Sequence, residues 1–308
     1  MTGAIENAGL EADRRRAVVV LGMHRSGTSA VAAALAEAGW SLPNDLMRPQ
    51  FDNPTGFNES LSVVRLNDRI LGELGSSWKL DNVAFPELWK HLASPALVGR
   101  YLNDARKALR EAFSGRSRIC CKDPRWLLAS KLWHRALTAD GYSPTYVLSL
   151  RHPCEVVDSL LAREPALPRP FAFRLWARYM LFLLALPEES RIEAVIDYDR
   201  LTAHPENCLR ESLLMPTLTP PGMNCTAVIP SLRHHFFNVA AEQNTPRDAE
   251  ELYHTLLRAN IETSADRRLA LQRYFPAHSV DRASLGREIL RTLVRVIRCG
   301  KRAWLEMR

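Results

Sequence analysis

Short apolar runs alternate with longer segments of helical periodicity along the chain as far as residue 204. The run at 17–21 is continuous, apolar and β-branched, which is typical of a strand buried on both faces of a parallel sheet. Further strands are predicted at 118–121, 145–150 and 193–197. Helices are predicted at 28–38, 59–74, 97–113, 126–139 and 172–186, and in the segment that carries Val156, Val157 and Leu160. Strands that alternate with helices of this length predict βαβ units.

The predicted fold class is therefore α/β. We expect a P-loop-like three-layer fold with a central parallel sheet of four or five strands and a helical C-terminal region. The predicted domains are a flexible N-terminus at 1–16, an α/β domain at 17–240 and a helical extension at 241–308 packed on it.

Composition fits a globular protein with a substantial core, because 46% of the 308 residues are hydrophobic and 24% are charged. The longest apolar run, at 179–187, is well short of the roughly 20 residues that span a bilayer. The first residues lack the cationic and apolar segments of a signal peptide. The sequence thus predicts a cytoplasmic protein without a transmembrane segment.

The six cysteines show neither Cys-x-x-Cys spacing nor a matching pair of histidines. This pattern predicts no metal site and no disulfide framework, and it favours reduced, buried thiols.

The net charge of +7 indicates an anionic partner. Arginines are scattered singly, several of them at predicted strand ends, and no basic stripe interleaved with aromatic residues appears before residue 285. We therefore predict an anionic small molecule and no nucleic acid. The tail at 285–308 reads as an amphipathic basic helix packed on the domain. Its alternative role is peripheral contact with the inner membrane surface.

A glycine-rich loop follows the first predicted strand and precedes an alanine-rich helix. Gly22 and Gly27 are separated by four residues, so backbone N–H groups and the helix dipole point at one spot, which is an anion site. Two glycines at this spacing, followed by serine or threonine, occur by chance in roughly one chain in five of this length. The flanking strand and helix give the match its weight.

This loop departs from the loop that binds ATP or GTP. Thr28 stands where the lysine of a nucleoside triphosphatase would follow the second glycine. The cation has moved back to Arg25, whose guanidinium suits bidentate contact with a phosphosulfate. The structural alternative is a plain strand-to-helix turn with Arg25 in solvent.

The segment His24-Arg-Ser-Gly-Thr-Ser29 resembles the 5′-phosphosulfate loop of sulfotransferases that use 3′-phosphoadenosine-5′-phosphosulfate (PAPS). The resemblance covers about residues 17–235, and its segment from Asn53 to Trp78 is similar to bacterial members of the family. Further matching segments follow in the family's order: Asn53-Pro-x-Gly-Phe-Asn-Glu59 with Leu-Gly-x-x-Trp78, Lys122-Asp-Pro, Arg151-x-Pro-x5-Ser159 and Val195-Ile-Asp-Tyr-Asp-Arg-Leu201. The Arg-Lys-Gly motif of the cytosolic enzymes is absent, and Arg233-His-His235 lies where a basic segment is often found.

The resemblance implies PAPS as co-substrate, no metal, and a set of binding residues. Residues implied to hold the 5′-phosphosulfate are His24, Arg25, Ser26, Gly27, Thr28 and Ser29. Arg151 and Ser159 are implied to bind the 3′-phosphate, and Tyr198 to touch the nucleotide. The structural alternative for the 3′-phosphate pair is an arginine that supports the fold and a serine bonded to the preceding helical turn.

The implied catalytic residues are Glu59, Lys122 and Arg25. Lys122 and Arg25 would stabilise charge on the transferring group, and Glu59 would accept the acceptor's proton, with His24 as the second candidate base. Glu59 is also predicted to open a helix after Asn58, where the dipole would lower its pKa and oppose basicity. The structural alternative for Lys122 is that it is a surface lysine at the end of a strand, without a catalytic role.

The predicted function is transfer of a sulfuryl group to a hydroxyl of a small-molecule or glycan acceptor, with a carbohydrate or glycolipid favoured. Two alternatives stay open: a P-loop kinase or other phosphotransferase, and a non-catalytic nucleotide-binding protein of the same fold. Mg²⁺-dependent ATP binding would indicate the first, and nucleotide binding without transfer the second.

Overall fold

A computed structural model describes residues 15–50, 53, 56–83, 85–206, 208, 245–258 and 261–272. Several predictions fall outside these residues and stay predictions. They are the flexible segment before Arg15, the Arg233-His-His235 segment, the domain boundary at 240 and the basic helix at 285–308.

The described residues form a parallel sheet of four strands in the order β2-β1-β3-β4. Its strands are β1 (Arg15–Leu21), β2 (Arg118–Lys122), β3 (Tyr142–Leu150) and β4 (Ile192–Asp197). The four predicted strands are confirmed, although β1 begins two residues earlier than predicted and β3 three. A parallel, α/β sheet is what the alternation of apolar runs and helices predicted.

Helices connect the strands and continue beyond β4. The helices are α1 (Thr28–Glu37), α2 (Leu61–Glu73), α3 (Phe85–Leu92), α4 (Pro95–Phe113), α5 (Ser130–Ala139), α6 (Pro153–Arg163), α7 (Arg169–Leu181), α8 (Tyr198–Ala203), α9 (Arg247–Arg258) and α10 (Ser264–Gln272). Short 3-10 helices lie at Pro124–Trp126 and Phe182–Ala185.

The two faces of the sheet are covered to different depths, and together they give three layers. Val18 and Val20 point to a smaller core that includes Val31 and Leu35 of α1 and Leu201 of α8. Alternate residues of β1 point to the larger core, which takes in α2, α4, α5, α6 and α7. Because both faces are buried, the central strands can be apolar at every position. The larger core also contains Trp176 and Tyr179.

The described C-terminal segments are helical and pack on the sheet domain. α9 lies against α6, α7 and β4, and α10 lies against the 3-10 helix at Phe182–Ala185. The buried Arg267 joins the two parts, because its guanidinium donates to the carbonyls of Glu262 at 2.8 Å and Ser190 at 3.2 Å.

Two helices begin later than predicted. The hydroxyl of Ser60 accepts a hydrogen bond from the Val63 amide at 3.3 Å, which makes Ser60 the N-cap of α2 and places Glu59 outside the helix. The predicted helix at 126–139 is split into a 3-10 turn and α5, because the side chain of Asp123 caps the turn that Pro124 opens.

The strand order places a ligand site at one edge of the sheet. The chain runs from β1 to β2 on one side of it, and then crosses to β3 and β4 on its other side. The direction in which strands are added therefore reverses between β1 and β3. Ligands of open α/β sheets bind at such a switch point, beyond the carboxyl ends of the strands. The loop after β1 and Arg151 after β3 both lie at this edge.

Two further findings concern the described part of the chain. None of its helices has the length and apolar character needed to cross a membrane. Its four cysteines, at positions 120, 121, 154 and 208, are buried free thiols, which agrees with the prediction for these four.

Candidate functional site

The loop between β1 and α1 has a backbone shape that depends on its two glycines. Gly22 has φ +143° and Gly27 has φ +85°. A Cβ atom on Gly22 would lie 2.6 Å from the carbonyl oxygen of Ser149, and one on Gly27 would lie 2.1 Å from Cδ2 of Tyr198. Both distances are far inside van der Waals contact, so Ser149 of β3 and Tyr198 of α8 leave room here for hydrogen only.

Inside this loop, two buried polar atoms have no hydrogen-bond partner among the described residues. They are Nε2 of His24 and Oγ of Ser26. Buried polar groups are normally paired, because an unpaired one carries a desolvation cost. Two such groups beside the first turn of α1, whose N–H groups also point outward, mark a place where a polar ligand would complete the structure.

The loop and the β3–α6 connection are joined by specific contacts. Arg25, which has a left-handed backbone with φ +69°, donates from Nε to Oγ of Ser159 at 2.8 Å. The buried Arg151 donates from Nη1 to the carbonyl of Arg25 at 3.2 Å, and its Nε is held by Glu155 at 2.7 Å. Ser149 donates to the carbonyl of Ser26 at 2.7 Å. The structure thus brings together Arg25, Arg151 and Ser159, which the sequence placed far apart.

Tyr198 lies under this junction. Its ring is the group that limits Gly27 to hydrogen, and the guanidinium of Arg151 stands 4.6 Å from the centre of the same ring. A cation over an aromatic face is attracted by the ring quadrupole. The ring therefore supports the loop and Arg151 at once.

Lys122 and Glu59 form a buried ion pair beside the loop. Nζ of Lys122 donates to Oε1 of Glu59 at 2.5 Å, to the carbonyl of Phe57 at 2.9 Å and to Oγ of Ser29 at 3.1 Å. An ammonium group has three donors, and here all three are used. Ser29, in turn, is one of the predicted loop residues, so the pair is attached directly to the phosphate-type loop.

The electrostatics of Glu59 differ from the sequence expectation. The prediction that a helix dipole lowers its pKa is wrong, because Glu59 precedes the cap residue Ser60 and is almost completely buried. Burial raises the pKa of Glu59, the positive charge of Lys122 opposes this, and the negative charge of Asp123 adds to it. A raised pKa favours basicity.

A network of buried charged side chains, which the sequence did not predict, supports this pair. Nη1 of Arg125 bridges both carboxylate oxygens of Asp123 at 3.0 and 3.1 Å and lies 4.0 Å from Oε2 of Glu59. Asn67 donates to Asp123 at 2.9 Å and accepts from the indole of Trp133 at the same distance. Arg125 follows directly on the Lys122-Asp-Pro segment, and that adjacency was the available signal.

His24 is a neutral imidazole surrounded by positive charge. Its ring centre lies 4.7 Å from that of Trp78 and 5.9 Å from that of Tyr179. Burial, followed by the charges of Arg125, Arg163, Lys122 and Arg25, holds the pKa of His24 well below its usual value. A neutral histidine can accept a hydrogen bond at Nε2 or donate one, depending on its tautomer.

Taken together, the edge presents cations, backbone N–H groups and one buried carboxylate. Such a set can bind an anion with two phosphate-like groups and can take a proton from a nearby hydroxyl. Among the described residues, no cluster of three or more histidine, cysteine or acidic side chains is placed to hold a metal ion.

Comparison with known proteins gives little beyond this geometry. No protein-family model matches the chain, and no curated protein matches it. Among solved structures, the sulfotransferase domain from the Synechococcus PCC 7002 olefin synthase is similar at 14% identity over 94% of this chain and 95% of that chain, with a TM-score of 0.40. A TM-score of this size carries no argument about function.

Proposed function

We propose that the protein transfers a sulfuryl group from PAPS to a hydroxyl acceptor by direct in-line transfer. The observation that carries the proposal is the junction of the β1–α1 loop with Arg151 and Ser159. This junction offers one anion site at the loop and a second one beside it. PAPS differs from ATP in having a 3′-phosphate in addition to its 5′-phosphosulfate, and so needs both sites.

The residues at the loop fit the 5′-phosphosulfate. Ser26 and His24 bring buried polar atoms that have no partner among the described residues, Gly27 lets the backbone approach closely, and the start of α1 adds its N–H groups. PAPS would supply the sulfuryl group and a good leaving group, 3′,5′-adenosine bisphosphate. Arg25 would lie between the two phosphate positions, since its carbonyl contacts Arg151 and its side chain contacts Ser159.

Glu59 is the proposed general base. It is buried, its pKa is raised by that burial, and one of its oxygens is held by Lys122 while the other lies 4.0 Å from Nη1 of Arg125. A carboxylate oriented in this way can accept the proton of an acceptor hydroxyl. His24 remains the second candidate for the general base.

Lys122 has to exchange a partner before it can stabilise charge on the transferring group, because its three donors are already used by Ser29, Phe57 and Glu59. If it releases Glu59, the opposing charge that lowers the pKa of Glu59 moves away, and the carboxylate becomes more basic. Contact between Lys122 and the donor would therefore strengthen the base at the moment of transfer.

The proposed acceptor is a carbohydrate or glycolipid hydroxyl, which rests on the resemblance to bacterial sulfotransferases. We propose the same setting as the sequence predicted, namely a cytoplasmic enzyme.

The test is thermal stabilisation of the protein by 3′,5′-adenosine bisphosphate, ADP and Mg-ATP, because a ligand of the native state raises Tm by mass action. The proposal expects the largest shift with the bisphosphate, and expects Ser159→Ala to reduce that shift. Arg118→Gln, at the opposite end of the sheet, serves as the matched control. Stabilisation by Mg-ATP alone would indicate a phosphotransferase, and bisphosphate binding without sulfuryl transfer to any hydroxyl would indicate a non-catalytic protein.

A further inference from the structure

Two arginines stand one turn apart on α7, the helix whose Tyr179 ring lies 5.9 Å from the ring of His24, and both are outside the proposed catalytic set. Arg174 and Arg178 occupy positions i and i+4, which face the same side of a helix, so their like charges repel. Both side chains are partly buried. Burial, and after it the charge of Arg174, lower the pKa of Arg178 to about 10, and burial also lowers the pKa of Arg174.

Neighbouring cations have acidic partners, and Arg174 differs from them. Lys79 is paired with Glu164 at 2.8 Å, and Arg169 is paired with Asp158 at 2.6 Å. Within the described residues, Arg174 contacts no carboxylate, and its guanidinium lies 5.7 Å from the ring centre of Phe171. A partly buried guanidinium without an acid has lost hydration that no protein charge replaces.

A chain of contacts connects these arginines to the transfer site. Nη1 of Arg178 donates to the carbonyl of Leu80 at 3.1 Å, and the hydroxyl of Tyr179 donates to the carbonyl of Trp78 at 2.8 Å. The ring of Trp78 packs on His24 of the loop. On the same ring stands Arg163, 5.3 Å from its centre. The segment from Trp78 to Leu80 thus contacts the phosphate-type loop through Trp78 and contacts Arg178 through the carbonyl of Leu80.

We propose that Arg174 and Arg178 bind an anionic group of the acceptor, so that the acceptor is a hydroxyl compound that also carries a carboxylate, phosphate or sulfate. This inference rests on the proposed function, since it assigns the second substrate of that site. The donor's phosphates are already assigned to the loop, Arg25 and Arg151. An anion at Arg174 would supply the charge that the described protein groups lack, and it would relieve the repulsion from Arg178.

The experiment uses acceptors that differ only in charge. Phenyl β-glucuronide and its methyl ester have the same ring hydroxyls, and hydroxyphenylacetate and its methyl ester form a second pair with an aromatic hydroxyl. Binding of each is measured by calorimetry on the protein saturated with 3′,5′-adenosine bisphosphate, and transfer is measured with PAPS. We expect the free acid of at least one pair to bind at least about tenfold more tightly than its ester, as befits a charge-assisted hydrogen bond.

The variant Arg174→Gln is expected to remove this preference while leaving the bisphosphate affinity unchanged, and Arg174→Glu is expected to reverse it. Arg135→Gln, an exposed position on α5, is the control and should keep the preference. Equal binding of acid and ester in both pairs, or a preference that survives in Arg174→Gln, would overturn the inference.

The two proposals fail in different ways. If the bisphosphate does not bind, the binding comparison is repeated without nucleotide. A charge preference that depends on Arg174 then supports the anion site while the sulfotransferase proposal fails. If the bisphosphate binds and neither pair discriminates, the anion site fails alone.

Discussion

The two sides of the site's edge are built in opposite ways. The loop side, consisting of residues 22–29 with Arg151 and Ser159, contains buried polar atoms at His24 and Ser26 without partners among the described residues. The ion-pair side, consisting of Glu59, Lys122, Asp123 and Arg125, is a charged network in which Lys122 uses every donor it has. The loop side can bind a ligand by adding contacts, whereas Lys122 on the ion-pair side can bind one only by exchanging a contact.

The largest expected effect is on transfer, in the variant Glu59→Gln. Glutamine keeps the shape and can still accept from Lys122, but it cannot take a proton, so the transfer rate should fall by about 10²–10⁴-fold. Stabilisation by 3′,5′-adenosine bisphosphate should be nearly unchanged, because Glu59 belongs to the ion-pair side. Asp68→Asn, which alters another carboxylate beside Arg125, is the control. A variant that retains most of its rate would move the role of base to His24.

Removal of Lys122 tests how much the buried ion pair with Glu59 contributes to the free energy of unfolding. In Lys122→Met the carboxylate of Glu59 loses its partner, so the free energy of unfolding in urea should fall by about 3–5 kcal/mol. The double variant Lys122→Met/Glu59→Gln should regain much of that loss. Lys79→Met breaks a far more exposed pair with Glu164 and should cost at most about 1 kcal/mol. Equal losses at Lys79 and Lys122 would contradict the comparison.

A pair of glycines separates backbone strain from steric overlap on the loop side. Gly27 and Gly39 have nearly the same φ, +85° and +87°, but only at Gly27 would a Cβ meet another group, the ring of Tyr198. Gly39→Ala should therefore cost about 1 kcal/mol from backbone strain and leave bisphosphate binding intact. Gly27→Ala should cost about 1–3 kcal/mol in urea unfolding and abolish the thermal shift with the bisphosphate. Equal behaviour of the two would mean that Tyr198 does not shape the loop.

The smallest expected effect is on the pH dependence of stability. The pKa of His24 is lower in the folded than in the unfolded state, mainly because of burial. Its contribution is therefore present above about pH 6.5 and is lost as the pH falls towards the lower folded value. In His24→Gln, the free energy of unfolding should decline less steeply below pH 6.5 than in the wild type, where His134 and His152 also have lowered pKa values. His91→Gln, at an exposed position, should leave the slope as it is.

Sequence reasoning reached the loop side well, because its main elements are local. The apolar run, the two glycines and the following helix are contiguous, and the ends of parallel strands meet at one edge, so Lys122 and Arg151 could be placed there from the sequence. The contact between Arg25 and Ser159 required only that the helix after β3 start at this edge. These are consequences of a parallel sheet, which the alternating pattern predicts.

The ion-pair side was harder to predict, because a distant residue decides it. Asn58 and Ser60 are both good N-cap residues, and the sequence gives no preference between them. In the structure Ser60 caps α2, while Asp45 accepts hydrogen bonds from the hydroxyl of Ser60 at 3.0 Å and the amide of Ser62 at 2.8 Å. Because Ser60 is the cap, Glu59 lies outside the helix and in a buried ion pair. Its pKa is therefore raised, whereas the sequence predicted a lowered one.

The contact between Gly27 and Tyr198 links the order of synthesis to the order in which parts of the site become competent. Chains leave the ribosome from the N-terminus, so the loop emerges long before the ring that fixes its shape from below. Arg151 emerges between them and reaches its final position over the same ring. A nascent chain that ends before β4 therefore carries the whole loop sequence without the ring of Tyr198. If the proposed function holds, we expect such a chain to bind nucleotide only once the fourth strand has joined the sheet.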